Sequence, residues 1–78
     1  MEDSDQIERK ILNGLRDRVE KCMSFDEIID EIGNPERVAA QEIPTIAFTL
    51  NNLVKRQVLR QFRAIYYGRI QNHYMLVE

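Results

Sequence analysis

The sequence predicts a small α+β domain, mostly helical, in which three helices are followed by a C-terminal β-hairpin. Three observations carry that expectation. Apolar residues recur at helical spacing over residues 7–19 and again over residues 46–53. Between them Ser24-Phe25-Asp26-Glu27 has the form of a capping box, a marker of a helix start. After Arg56 the composition turns to β-branched and aromatic residues around a single glycine, Gly68.

The first helix is expected over about Ser4 to Glu20. Ile7, Ile11, Leu15 and Val19 lie four apart with Leu12 beside them, the stripe of an amphipathic helix whose other faces are charged. Asp3, Ser4 and Asp5 offer acceptors to the unpaired amides at its start, and Lys21 falls where the helix dipole favours a cation. Gly14 inside it costs about 1 kcal/mol relative to alanine, which points to a neighbouring element packed closely there.

The second helix is expected over residues 25–32. Ser24 can cap the amide of Glu27 while Glu27 reaches back to Ser24, and Met23 and Ile28 occupy the two positions of a hydrophobic staple. Ile28, Ile29 and Ile32 form its buried stripe, and Gly33 ends it. Gly33-Asn34-Pro35 signals a turn, with Pro35 suited to open the next stretch. Residues 36–43 read equally as a helical turn or an extended linker.

A third helix is expected over about Pro44 to Arg56. Ile46, Leu50 and Leu53 give it one apolar face, Pro44 sits in its first turn, and Lys55 and Arg56 lie in its last. The hairpin follows: Val58 to Tyr67, a turn at Gly68, and a return from Ile70 to Val77 in which Tyr74-Met75-Leu76-Val77 is the strand.

The 78 residues, 44% hydrophobic and 31% charged, form one domain over 1–78, since a second core would leave about forty residues for each. That size argues against most enzymes, and a core this small gains from self-association. The single Cys22 makes neither an internal disulfide nor a metal site alone, which fits a reducing compartment. It reads as a small buried hydrophobe in the corner between the first two helices. Met1-Glu2-Asp3-Ser4-Asp5 is acidic where a signal peptide is basic, and no apolar run approaches the roughly 18 residues of a membrane span. A cytoplasmic protein with no membrane partner is expected. No phosphate loop, dinucleotide fingerprint, zinc spacing or hydrolase elbow occurs, so neither catalysis nor a cofactor is expected.

The net charge of −2 hides an asymmetry. Residues 1–42 carry twelve acidic and six basic side chains, net −6. Residues 43–78 set Glu78 against Lys55, Arg56, Arg60, Arg63 and Arg69, net +4.

The order of elements resembles the winged helix-turn-helix DNA-binding domains over nearly the whole chain. The most specific part is Pro44-Thr45-Ile46-Ala47-Phe48-Thr49-Leu50-Asn51-Asn52-Leu53-Val54-Lys55-Arg56-Gln57-Val58-Leu59. It is similar to the recognition helix and following strand of bacterial and archaeal winged-helix regulators. Gln57 stands where those proteins usually carry glycine, so it must take a left-handed conformation at some cost or the helix must end differently.

The resemblance implies a transcriptional regulator that binds double-stranded DNA. A homodimer is expected, because one module offers few phosphate contacts. The helix at about 44–56 would lie in the major groove, the wing at about 58–77 would lie on the backbone, and the acidic first helix would face away from DNA, toward the twin subunit. With Ile46, Leu50 and Leu53 inward, the opposite face of the third helix carries Phe48, Asn51 and Lys55, with Thr45 and Asn52 at its flank. Asparagine pairs bidentately with adenine, threonine approaches a thymine methyl or a phosphate, and Lys55 meets phosphate or guanine. Arg56 would hold phosphate, joined by Arg63, Tyr67, Arg69 and Asn72 of the wing. The bland reading of that hairpin is a solvated loop with solubilising arginines.

Phe48 is large and apolar on an exposed face, so it must meet a base methyl, a partner protein or another part of the same fold. A second function therefore stays open, a protein-binding winged helix anchored by Phe48, Tyr66 and Tyr67. Asp26, Glu27, Asp30 and Glu31 are acidic at helical spacing, but two complement the amino end of their helix and the others face water, so a metal site is not expected. His73, with no second histidine, reads as a surface or strand residue.

Overall fold

The structure, a computed structural model, describes residues 4–32 and 42–77. Helices α1 (Ser4–Asp17), α2 (Phe25–Ile32) and α3 (Glu42–Lys55) combine with strands β1 (Cys22–Ser24), β2 (Leu59–Tyr66) and β3 (Arg69–Leu76). The strands form one antiparallel sheet in the order β1-β3-β2. The architecture is a small α+β winged helix. The turn expected at Gly33-Asn34-Pro35 and most of the 36–43 stretch lie outside the described residues.

Helix α1 stops three residues short of the expected Glu20. Its end tightens into short-range bonds, Arg18 N–H to the Leu15 carbonyl at 3.2 Å and Lys21 N–H to the Arg18 carbonyl at 3.2 Å. Lys21 then turns left-handed, with φ 52°, and leads directly into β1. Val19 consequently leaves the apolar stripe and is 97% exposed. The cation at the helix end behaves as expected, since Lys21 Nζ donates to the Arg16 carbonyl at 3.2 Å.

Strand β1 is an addition to the expected architecture. Cys22, Met23 and Ser24 pair with Met75, Tyr74 and His73, so Cys22 is a half-buried strand residue rather than part of a helix corner. Burial, with Glu27 and Glu20 nearby, pushes its thiol pKa up. Ser24 and Glu27 close the capping box, Glu27 N–H to Ser24 Oγ at 3.2 Å and Ser24 N–H to Glu27 Oε1 at 3.0 Å. Arg18 donates to Glu27 at 2.6 Å and to Glu31 at 3.5 Å, pinning the end of α1 to α2. Burial would raise the Glu27 carboxyl, but the Ser24 amide and Arg18 outweigh it and hold its pKa below the ordinary value.

The core lies between the helices and one face of the sheet. Ile7, Ile11 and Leu15 of α1, Ile28 and Ile32 of α2, and Ile46, Leu50 and Leu53 of α3 pack with Met23, Leu59 and Tyr74. Gly14 belongs to this packing, because a Cβ there would stand 3.2 Å from Met23 Cε.

Helix α3 ends as the sequence left open. Gln57 adopts φ 62°. Its N–H donates to the Val54 carbonyl at 3.0 Å, and the Val58 N–H donates to the Leu53 carbonyl at 2.9 Å. This is a Schellman cap built without glycine. Replacing Gln57 with glycine removes the side-chain clash while adding freedom to the unfolded chain. Gln57→Gly is therefore expected to stabilise the domain by about 0.5 to 1 kcal/mol in a urea titration. A destabilised variant would mean that the Gln57 side chain makes a compensating contact.

Candidate nucleic-acid interface

Helix α3 presents the expected face. Pro44, Phe48, Asn51, Asn52 and Lys55 are all exposed, opposite buried Ile46, Leu50 and Leu53. Phe48 is 65% exposed, which removes the reading in which it packs into its own fold. Thr45 is half-buried, and its carbonyl accepts the Thr49 hydroxyl at 2.8 Å. Its side chain therefore sits at the margin of the face.

Arg56 is engaged from an unexpected quarter. Its guanidinium donates to Glu8 of α1 at 2.7 Å, a pair in which Arg56 is about half exposed and Glu8 largely covered. The acidic first helix thus reaches the end of α3, and a phosphate contact by Arg56 would have to displace this carboxylate. Lys55, Arg60, Arg63 and Arg69 are exposed and have no ion-pair partner among the described residues. Glu8→Gln, which frees Arg56 with little change in shape, is expected to tighten duplex DNA binding severalfold and to steepen its salt dependence by about one unit of log–log slope. Unchanged affinity and slope in fluorescence anisotropy would place Arg56 outside the interface.

The hairpin turns through Tyr67 and Gly68, both left-handed at φ 50° and 76°, as a two-residue type I′ connection requires. Asparagine or glycine is the usual first residue of such a turn; here it is Tyr67, 88% exposed, its ring edge-on to Tyr66 at 4.5 Å. Residues paired across a sheet share a face, and successive residues alternate. The pairings Gln61↔Tyr74, Arg63↔Asn72 and Ile65↔Ile70 therefore continue the core-facing side out to the tip. Phe62↔His73, Ala64↔Gln71 and Tyr66↔Arg69 occupy the other side.

Arg63 and Arg69, expected to act together, consequently stand on opposite faces of the wing. Asn72 is half-buried, which leaves it at the margin of the wing surface. His73 is a strand residue as expected, only 8% exposed, stacked on Phe62 at 5.4 Å.

On the second face of the hairpin Gln71 is tied to the first turn of α2. Gln71 Nε2 donates to Asp26 Oδ2 at 2.7 Å, while the Asp26 N–H reaches Gln71 Oε1 at 3.3 Å. Asp26, Glu27 and Glu31 of α2 thus serve Gln71, Ser24 and Arg18, while Asp30 is exposed. Among the described residues no group of three or more His, Cys, Asp or Glu side chains is placed to hold a metal ion. No helix among them is long and apolar enough to cross a membrane.

Two features of this surface escaped the sequence reading. The Glu8–Arg56 pair spans 48 positions and has no local signal. Ile65 and Ile70, both exposed, read in the sequence only as strand formers. Alternation from buried Leu59 would have put Ile65 on the core side, yet beyond the reach of the core.

No protein-family model matches the chain, and no curated protein matches it. Among solved structures the chain is similar to Stf76 from the Sulfolobus islandicus plasmid-virus pSSVx. The TM-score is 0.64 at 21% identity, over 90% of this chain and 79% of that one. The likeness is one of fold, and it agrees with the winged-helix arrangement of helices and strands.

Proposed function

We propose that this protein binds double-stranded DNA as a transcriptional regulator and acts as a homodimer. In this reading α3 enters the major groove and the hairpin holds the backbone. The observation that carries it is the basic character of the segment that forms α3 and the hairpin. Residues 43–77 contain five basic side chains and no acidic one, on the helix and hairpin that a winged helix presents to DNA. Asn51 and Asn52 are the base readers, Lys55 and Arg63 hold phosphates, and Arg69 beside Tyr67 works at the wing tip. One chain offers only about four free cations, so two half-sites are needed for tight binding. The reading assigns no chemistry to the chain and no cofactor.

The test is anisotropy of the full chain with a random-sequence duplex at about 50 mM salt, repeated at rising salt. Binding that weakens steeply with salt supports the proposal, and absence of binding at low salt overturns it. Exposed Phe48 favours a second reading, a protein-binding face that also uses Tyr66 and Tyr67. The two separate on Phe48→Ser: lost self-association or partner binding with DNA affinity intact supports the protein reading.

A further inference from the structure

The tip of the hairpin holds an arrangement that phosphate binding leaves unexplained. Ile65 and Ile70 face each other directly across β2 and β3, one pair away from the turn. They are 72% and 65% exposed. Two large aliphatic side chains side by side in water at the end of a narrow ribbon have no role in the core of this chain, which ends on that face at Leu59 and Tyr74. The backbone beside them is strained as well, because Tyr67 occupies a left-handed position that asparagine or glycine would fill at lower cost. Strain and exposed apolar surface at one point mark a place shaped for contact rather than for stability.

The charge around the pair selects the occupant. Arg63 precedes Ile65 on the same face, and Arg69, next to Ile70 in the chain, stands on the opposite face at the tip. Arg60 lies further down β2 on the opposite face, and no carboxylate occurs anywhere in residues 43–77. An apolar pair with a cation beside it on its own face, on a segment without carboxylates, complements a surface that is negative at its rim and offers apolar area within. A DNA minor groove offers both where a base step opens, with phosphates along its walls and the apolar faces of the unstacked bases within. Asp26 and Gln71 tie the other face of the hairpin to α2 at Gln71, whereas Ile65 and Ile70 stay exposed.

We propose that Ile65 and Ile70 form a wedge that enters the minor groove and partly unstacks one base step, so that the protein bends the DNA it binds. The inference rests on the DNA-binding reading above and adds an activity to it. The wedge gives the protein selectivity for a step it does not read by hydrogen bonds, because pyrimidine–purine steps open more readily than others. The expected bend lies between about 20° and 90°.

The experiment uses the full chain and a duplex carrying 2-aminopurine beside a central TA step, with a donor and an acceptor dye at its ends. Wild-type protein is expected to brighten the 2-aminopurine severalfold and to shorten the end-to-end distance. The variant carrying Ile65→Thr and Ile70→Thr keeps β-branched strand formers and every charge. It is expected to bind with the same salt slope while the probe stays dim and the duplex straight. A wild-type complex in which the duplex remains straight overturns the wedge while leaving DNA binding intact, as does a threonine variant that bends DNA like wild type. No duplex binding by wild type at about 50 mM salt overturns the DNA reading and the wedge with it. Self-association in sedimentation that the threonine variant abolishes, without effect on bending, assigns the pair to a protein contact and also overturns the wedge.

Discussion

Replacing Lys55, Arg63 and Arg69 together with alanine is expected to weaken duplex binding several hundredfold at about 0.1 M salt. Each phosphate contact releases about 0.9 counterion, which makes it worth roughly eightfold at that concentration, and three contacts multiply to about 500-fold per bound chain. The same loss must appear as a log–log salt slope shallower by about 2.7. All three side chains are exposed and without ion-pair partners among the described residues, so the fold is expected to tolerate the change within about 0.5 kcal/mol. Anisotropy titrations at four salt concentrations give affinity and slope together. A weakened complex with an unaltered slope would mean that these residues touch bases or another protein rather than phosphates.

The second large effect separates two residues of one helix. Leu50→Ala removes a side chain that is fully buried at the centre of the core. It is expected to cost about 3 kcal/mol, transfer and cavity terms together. A domain of this size has about 4 to 10 kcal/mol in hand, so the midpoint of thermal unfolding should fall by roughly 10 to 20 °C. Phe48→Ala, two positions earlier and on the outer face, is expected to shift stability by no more than about 0.5 kcal/mol. Calorimetry on the two variants settles the matter. A large loss at Phe48 would mean that the residue is covered in solution, as it would be in a dimer.

How much of this was legible in the chain follows the range of the interactions involved. The start of helix α2 was readable to the residue, because the Ser24–Glu27 box and the Met23–Ile28 staple are local devices with fixed spacing. The faces of α3 followed from three apolar positions and helical geometry, and burial places them there. The hairpin was readable from composition. Its turn was readable only in part, since Gly68 announced itself and left-handed Tyr67 did not. Val19 misled because it continued a perfect period of four past the point where the chain had to turn into β1. That strand is three residues long, and its partners lie about fifty positions away; nothing in Cys22-Met23-Ser24 alternates over enough length to declare it. The candidate interface divides in the same way. Exposure of Phe48, Asn51, Asn52 and Lys55 came from periodicity. The engagement of Arg56 by Glu8 and the division of Arg63 from Arg69 depend on long-range packing and strand register.

The reciprocal pair between Asp26 and Gln71 has a mechanical meaning. Beyond the last β1 pairing, Ser24 to His73, the hairpin would be a two-stranded cantilever free to swing about its root. Asp26 and Gln71 brace it two residues further out, leaving an overhang of about 10 Å from Gln71 to the turn at the usual rise per strand residue. A load at the tip is therefore carried into the first turn of α2 instead of being absorbed by flexing. The hairpin acts as a stiff lever of fixed angle, and the brace sets how far apart along a rod-like partner the helix and the tip can touch.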